Sequence, residues 1–439
     1  MRGSTLSRLL LVMLLFSLLV AGCKPAATPT PTPAPKKTAV PTAVPPPKPV
    51  RIGVAYPFTG PIAGTTAALK DGLELMADFI NNKWDLPFRL AKEEGLPNLG
   101  GAKIELVYGD TQGSTEVGPA EVERLITQEK IDVLTCCYQS SVTKPSSDVA
   151  ERYGMPTNGD ECSATSLTER GLKWFWRTNP SERQRQEASA RALGALVKAG
   201  YPVKRVGLLI ENSEAGATMR QEVLKYFPEQ GLEIVVDVTF PTGTTDLTAE
   251  LLKIKEANPD VLFMQGYNPD YVLAPLTLKK LDWAPYMFYG QSGIVAQQIR
   301  ESLGKDFEYI VAQETWGADL LESKPWVGQV AKLFKERYNR EMDGEIAVAM
   351  VGLLTWADVI NRAGSTDHQA ILKALAETNI PGEELVAPFR GVWFDPTTHQ
   401  NLGTEFTLVQ WVDGAWHTVY PFDVATAKMV PFKPWSERK

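Results

Sequence analysis

The feature that most constrains this chain is a rhythm. Short apolar runs alternate with longer stretches whose apolar residues recur every three or four positions. Residues 50–55 (VRIGVA) read as a strand, and 67–81 (ALKDGLELMADFINN) as a helix with Leu69, Leu73, Met76 and Ile80 on one face. The pattern continues as strand 103–108, helix 117–129, strand 131–135 and helix 144–153, with 154–157 entering a further strand. It restarts after Arg177 with helix 182–199, strand 205–210, helix 219–230, strand 232–240, helix 248–257, strand 260–264 and helix 271–281. Strands separated by helices pair in parallel, so two such rounds predict two α/β units, each a parallel sheet flanked by helices. In sheets of this kind, ligands sit outside the carboxyl ends of the strands, where loops meet helix N-termini.

The region from Val50 onward is longer than one core normally serves, and its balance of 44% hydrophobic and 22% charged residues is that of a globular protein. A formal net charge of -7 argues against nucleic acid as a partner. Beyond the N-terminus no second long apolar run stands out, so no further membrane span is expected.

The N-terminus has a different character. Arg2 and Arg8 precede the apolar segment 9–20, and small residues follow at Ala21 and Gly22, the anatomy of an export signal. Small residues followed by Cys23 resemble a bacterial lipobox, in which the thiol receives lipid and becomes the mature N-terminus. Residues 1–22 are then a lipoprotein signal peptide. Each buried methylene of an acyl chain contributes about 0.8 kcal/mol, so Cys23 would tether the protein to membrane lipid. The stretch 24–49 (KPAATPTPTPAPKKTAVPTAVPPPKP) is rich in Pro, Thr, Ala and Lys and favours an extended polyproline II stalk. The expected location is outside the cytoplasm, on the outer face of the cell membrane or in the periplasm.

There are four cysteines. With Cys23 assigned to lipid, Cys136, Cys137 and Cys162 remain, an odd number that allows one disulfide and one free thiol. Neighbouring parallel strands would bring the loop after Cys136-Cys137 beside Cys162, so Cys162 is expected to pair with Cys137 or Cys136. No Cys-x-x-Cys occurs, and no His stands at zinc spacing from the adjacent pair; no metal or cofactor is expected. The three histidines, His368, His399 and His417, come late in the chain. There is no Gly-x-Ser-x-Gly elbow, phosphate-binding Gly-rich loop or His-Glu-x-x-His, so an enzyme is not expected.

Several stretches, in order, carry a family resemblance. They are 52–61 (IGVAYPFTGP), 72–81 with its Ala-Asp-x-Ile-Asn ending, 105–110 (ELVYGD), 131–134 (IDVL) and Ser140-Ser141 before a helix. They continue as 168–171 (TERG), 175–180 (FWRTNP), 242–247 (TGTTDL) and 259–263 (PDVLF). Together these resemble the periplasmic solute-binding proteins of the branched-chain amino acid (Leu/Ile/Val) type, in lipoprotein form. The resemblance implies a two-lobed Venus-flytrap fold, type I, with each lobe a parallel sheet flanked by helices. Three segments would cross between lobes near 178–181, 313–316 and 388–392. Lobe one would be 50–178 plus 316–388, and lobe two 180–313 plus 392–435. Residues 84–99 are longer than the family's usual loop and are expected to add a rim element. The implied function is capture of a small polar ligand by hinge closure and delivery, as a monomer, to the permease and ATPase of an ABC importer. A receptor signalling to a separate membrane partner is the rival output.

The resemblance also places a site. Ser140 and Ser141 correspond to the hydroxyl and backbone donors that hold a ligand carboxylate at a helix N-terminus, and Ser163 to the second such hydroxyl. Each could equally be a plain helix cap. Tyr267 stands where the second lobe offers an aromatic contact, and Tyr56 and Phe58 on the first loop are expected to wall the pocket. Members that bind α-amino acids hold the ammonium with an acid in the second lobe. Here that region is 289–293 (YGQSG), with Ser292 where the carboxylate would be. The small residues usual before Ser163 are replaced by Asp160, Glu161 and Cys162. Glu161 and, on the second-lobe rim, Glu214 are therefore candidate anchors for positive charge. An amino acid, an amide and an aromatic acid all remain open as ligands.

Overall fold

The structure, a computed structural model, describes residues 47–438 apart from 318, 320, 322 and 323. Cys23 and the Pro-rich stretch up to residue 46 lie outside the described residues. Strand β1 (Val50–Tyr56) is almost wholly buried and runs through a five-stranded parallel sheet. Ile52 aligns with Leu106 of β2 (Ile104–Asp110) on one side and with Val133 of β3 (Val133–Cys136) on the other. Then come β4 (Thr157–Asn158) and β5 (Phe175–Trp176), giving the order β2-β1-β3-β4-β5. Helices α1 (Ala63–Asn81), α2 (Val117–Thr127) and α3 (Ser140–Tyr153) make the connections.

Helix α4 (Glu182–Lys198) leads into the second lobe. Its parallel strands are β6 (Arg205–Glu211), β7 (Glu233–Phe240), β8 (Val261–Gln265), β9 (Met287–Gly290) and β10 (Val311–Glu314), in the order β10-β9-β8-β6-β7. They are joined by α5 (Glu214–Glu229), α6 (Thr248–Ala257), α7 (Asn268–Lys280) and α8 (Gln297–Leu303). The chain then returns to the first core as α9 (Pro325–Tyr338), α10 (Gly344–Ala363), α11 (His368–Ala376) and the antiparallel ribbon β11 (Ile380–Pro381) with β12 (Gly391–Val392). Finally β13 (Thr407–Val412) and β14 (Ala415–Tyr420) extend the second sheet antiparallel beyond β10.

Helix α10 is long and apolar enough to cross a membrane by composition alone, yet 83% of its apolar window is buried inside the first lobe. It packs on α1 at close range, since a Cβ on Gly72 would sit 2.7 Å from Ile346 Cγ2. The Asp343 carboxylate caps it by accepting the Ile346 N–H at 3.1 Å. Its N-terminus therefore points at the space between the lobes, and its other end points away.

Three expectations change. Helices α1, α3, α5 and α7 begin earlier than 67, 144, 219 and 271. Pro145, which would suit a first turn, lies inside α3, and Ser213 caps α5 by accepting from Gly216 N at 3.2 Å. Residues 84–99 form two short 3₁₀ turns whose Phe88, Leu90 and Leu96 join the first core, while Asn98 N–H donates to Asn361 at 2.9 Å. Asn361 lies 16 residues beyond Glu345 on α10, about 24 Å at 1.5 Å per residue, so this segment buttresses the end remote from the cleft instead of its rim. The last passage between lobes falls later than 388–392. Val392 belongs to the first core, Asn401 N–H donates to Arg177 O at 2.9 Å, and the second sheet is reached at Thr407.

Candidate functional site: an acid-lined cleft between the lobes

The carboxyl ends of β3, β8 and β9 converge with the N-termini of α3, α7 and α10 around a small, half-open cavity of about 80 Å³. Both lobes line it. Tyr138, Ser140, Glu161, Ser163 and Glu345 come from the first, and Gln265, Tyr267, Asn268, Tyr271 and Gln291 from the second. Glu182 and Arg185, one turn apart on α4, enter from the crossing segment, because the Ser181–Gln184 capping box fixes where that helix starts. A larger hollow of about 560 Å³, lined by Trp316, Trp411 and Trp416, opens beside the carboxyl end of β10 at Glu314 and draws nothing from β3 or β8.

Local chemistry fixes each wall. Tyr138 takes a left-handed backbone (φ 70°), and its hydroxyl donates to Glu345 at 3.3 Å. Its ring lies 6.5 Å from that of Tyr267 across the cleft. Tyr267 is held by its own N–H donating to the Asp270 carboxylate at 2.8 Å. The loop carrying Glu161 is tied to the first crossing segment. Asn179 Nδ2 donates to the carbonyls of Glu161 (2.7 Å) and Cys162 (3.2 Å), and the fully buried Arg177 donates to Ala164 O at 2.6 Å. Outside the cavity the lobes are latched. Glu214 of α5 receives Lys144 Nζ at 2.9 Å and Ser166 Oγ at 2.7 Å, and Asn268 reaches Thr65.

The electrostatics are one-sided. Three carboxylates, Glu161, Glu182 and Glu345, line the cavity with a single guanidinium, Arg185. Burial raises the Glu161 pKa well above the ordinary carboxylate range, and the negative charges of Asp160 and Glu345 add to it. Burial, with Asp343 adding, pushes Glu345 up to about 8. Behind Glu161, burial pushes Asp160 to about 7 although the Tyr56 hydroxyl donates to it at 2.5 Å. These groups are disfavoured as anions while the closed cleft holds no positive charge.

Of the residues expected from sequence, Ser140, Glu161, Ser163 and Tyr267 line the cavity. The two serines are used differently from expectation. Ser140 Oγ accepts the N–H groups of Ser163 (3.2 Å) and Ala164 (3.1 Å), and the Ser163 hydroxyl bonds to Glu182. Ser141 is half-buried on α3 but is not in the lining. Tyr56 and Phe58 do not wall the cavity. Tyr56 is fully buried behind Asp160, and Phe58 packs edge-on against Tyr108. Glu214 serves the latch and not the lining, and the Ser292 side chain lies outside the described residues. The expected Cys137–Cys162 bridge is replaced by a disulfide between the adjacent Cys136 and Cys137. Cys162, expected among the ligand-binding residues, does not line the cavity: it is a free, buried thiol, hydrogen-bonded with Thr143 and raised by burial to about 11.

Sequence reading missed Tyr138, Glu182, Arg185, Gln265, Gln291 and Glu345. Glu182 and Arg185 had a usable signal, an acid and a base one turn apart just after a crossing segment. Glu345, more than 180 positions from Glu161, had none.

Two sheet-based lobes joined by crossing segments and closed over a polar cavity define a receptor that encloses a small solute. The chain belongs to the periplasmic binding protein family, whose profile matches residues 49–415. It is 25% identical over 392 residues to Leu/Ile/Val-binding protein homolog 7 of Brucella suis biovar 1 (strain 1330), covering 87% of this chain and 93% of that one. It is 26% identical over 388 residues to homolog 8 of Brucella abortus (strain 2308), covering 87% and 92%. Among solved structures, the leucine-binding protein LivK of Thermotoga maritima MSB8 superposes with a TM-score of 0.72 at 20% identity, covering 84% of this chain and 97% of that one. A solute-binding protein of an ABC transporter from R. palustris, in complex with benzoate, superposes at 0.70 with 18% identity, covering 88% and 97%. The fold is the type I periplasmic binding protein fold.

Proposed function

We propose that this chain is an exported, lipid-anchored receptor that captures a small polar solute by hinge closure and delivers it to the permease of an ABC importer. The observation carrying the reading is the small cavity lined from both lobes, with a latch between the lobes outside it. A ligand that touches both walls only in the closed form shifts the open–closed equilibrium by its differential affinity, and a permease can read the closed shape. The anchor is assigned to Cys23 and the spacer to the Pro-rich residues 24–49 on sequence grounds. The named relatives and the benzoate complex suggest leucine-like amino acids or aromatic acids, and the acid-rich lining disfavours the latter.

The test is uptake. A strain lacking this chain should lose import of the bound solute, and the wild-type gene should restore it. Cys23→Ala should abolish lipidation, seen by mass spectrometry, and release the protein from membrane pellets. Unchanged uptake together with loss of a transcriptional or motility response to the solute would replace transport by sensing.

A further inference from the structure

The cavity's spare hydrogen-bonding capacity is weighted toward acceptors, which suits the cationic end of a ligand better than a carboxylate. The N–H groups of Ser163 and Ala164, positioned to hold a carboxylate, already donate to Ser140 Oγ, and the Ser163 hydroxyl is turned to Glu182. What remains is mostly acceptor capacity, with Gln291 Nε2 as an unpartnered donor beside it. Glu161 Oε1, Gln265 Oε1 and Gln291 Oε1 are enclosed and have no hydrogen-bond partner among the described residues. Gln265 and Gln291 are each only 7% exposed, and both side chains line the cavity from the second lobe. A buried acceptor without a donor is destabilising, and a ligand N–H removes that penalty. Charge points the same way. The carboxyl groups of Glu161, Glu182 and Glu345 outnumber the single guanidinium of Arg185, so a cation entering the lining would favour their ionised forms. Among the described residues no group of three acid, His or Cys side chains is arranged to hold a metal ion, so the charge suits N–H groups spread over a molecule. The space of about 80 Å³ requires that molecule to be compact.

We propose that the cleft takes a compact organic cation with several N–H donors, of the guanidinium, amidinium or short diamine class, and that recognition does not require a ligand carboxylate. The inference rests on the solute-binding reading above and narrows its ligand. Glu161 and Glu345 face the cation from the first lobe, and Gln265 and Gln291 accept its N–H groups from the second. The rings of Tyr138 and Tyr267 offer faces that attract positive charge.

The experiment is titration calorimetry on the purified full chain with paired probes: agmatine against arginine, cadaverine against lysine, methylguanidine alone, and leucine and benzoate. The expected result is binding of agmatine, cadaverine or methylguanidine, at least as tight as that of the amino acid sharing its cationic end. Glu161→Gln and Glu345→Gln should each weaken it by about tenfold or more. Gln291→Leu, which leaves the charges in place, should weaken it as well. Tighter binding of arginine or lysine than of their decarboxylated partners overturns the inference, as does loss of none of the affinity in Glu161→Gln. Binding of leucine or benzoate without the cations overturns it while leaving the solute-binding reading intact. If no probe binds, the cation inference falls, and the solute-binding reading is decided by the uptake experiment.

Discussion

Replacing Glu214 by Gln should weaken ligand binding without touching the cavity. The Glu214 carboxylate spans the lobes, receiving Lys144 Nζ at 2.9 Å and Ser166 Oγ at 2.7 Å. Burial works against its charge, but the Ser166 and Lys144 hydrogen bonds outweigh this and hold its pKa below the usual value. The Lys144 side chain is 47% exposed, so that ion pair is worth at most about 0.2–1 kcal/mol. The serine bond to a charged acceptor adds about 1.5 kcal/mol, the low end for such bonds in a half-exposed setting. Both bonds join opposite lobes and on this mechanism form on closure, so losing both costs about 2 kcal/mol of affinity, or about 30-fold in Kd, the upper bound for Gln, whose amide oxygen still accepts. Most of it should appear as faster release. The assay is calorimetry and stopped-flow release of the tightest ligand at low and high salt, with Ser166→Ala as a second variant. High salt should erase the Lys144 share and spare the Ser166 share. Unchanged Kd in a Glu214→Gln protein that keeps its unliganded Tm would refute the latch.

Three further outcomes are expected. Glu345 (about 8), Asp160 (about 7) and Glu161 titrate above their unfolded values, facing Glu182, Arg185, Tyr138, Tyr267, Asp343 and Glu314. The closed, empty protein therefore binds more protons than the unfolded chain between about pH 4 and 8, and thermal denaturation should show its stability falling as pH rises through that window. A permanently charged cation should bind more tightly over the same rise, with proton release detectable by calorimetry in buffers of different ionisation enthalpy; pH-independent affinity would count against the role of these carboxyls. Thiol titration of the denatured, non-reduced chain should find Cys162 free and Cys136 and Cys137 oxidised. A free pair at 136 and 137 would contradict this. Arg177→Met should cost about 2–4 kcal/mol, because Ala164 O, Gln400 Oε1 and Thr168 Oγ1 lose a charged donor, and a Tm unchanged from wild type would contradict it.

The lobes were legible because their signal is local. Leu69, Leu73, Met76 and Ile80 mark α1, and the short apolar runs mark strands that a parallel sheet buries on both faces. Helix starts were less legible where Pro145 imitates a first turn. The site was legible only where it lies on strand-end loops, at Ser140, Glu161, Ser163 and Tyr267. Glu345 could not be placed, since its role depends on α10 packing on α1 with its capped N-terminus toward the cleft. The use of Ser140 was misread for a similar reason. Whether its oxygen serves a ligand or a neighbouring loop is decided by the fold of residues 160–164, held by Asn179 and Arg177. Tyr56 sits at the end of a strand in a loop-like motif, yet its side chain turns inward to Asp160.

The central claim is that solute is captured by closing one lobe on the other. Small-angle X-ray scattering of the full chain, with and without a ligand shown by calorimetry to bind, tests it most directly. The account predicts a smaller radius of gyration with ligand, and a smaller change for Glu214→Gln at subsaturating ligand. An unchanged scattering curve at saturating, calorimetrically verified occupancy would contradict it.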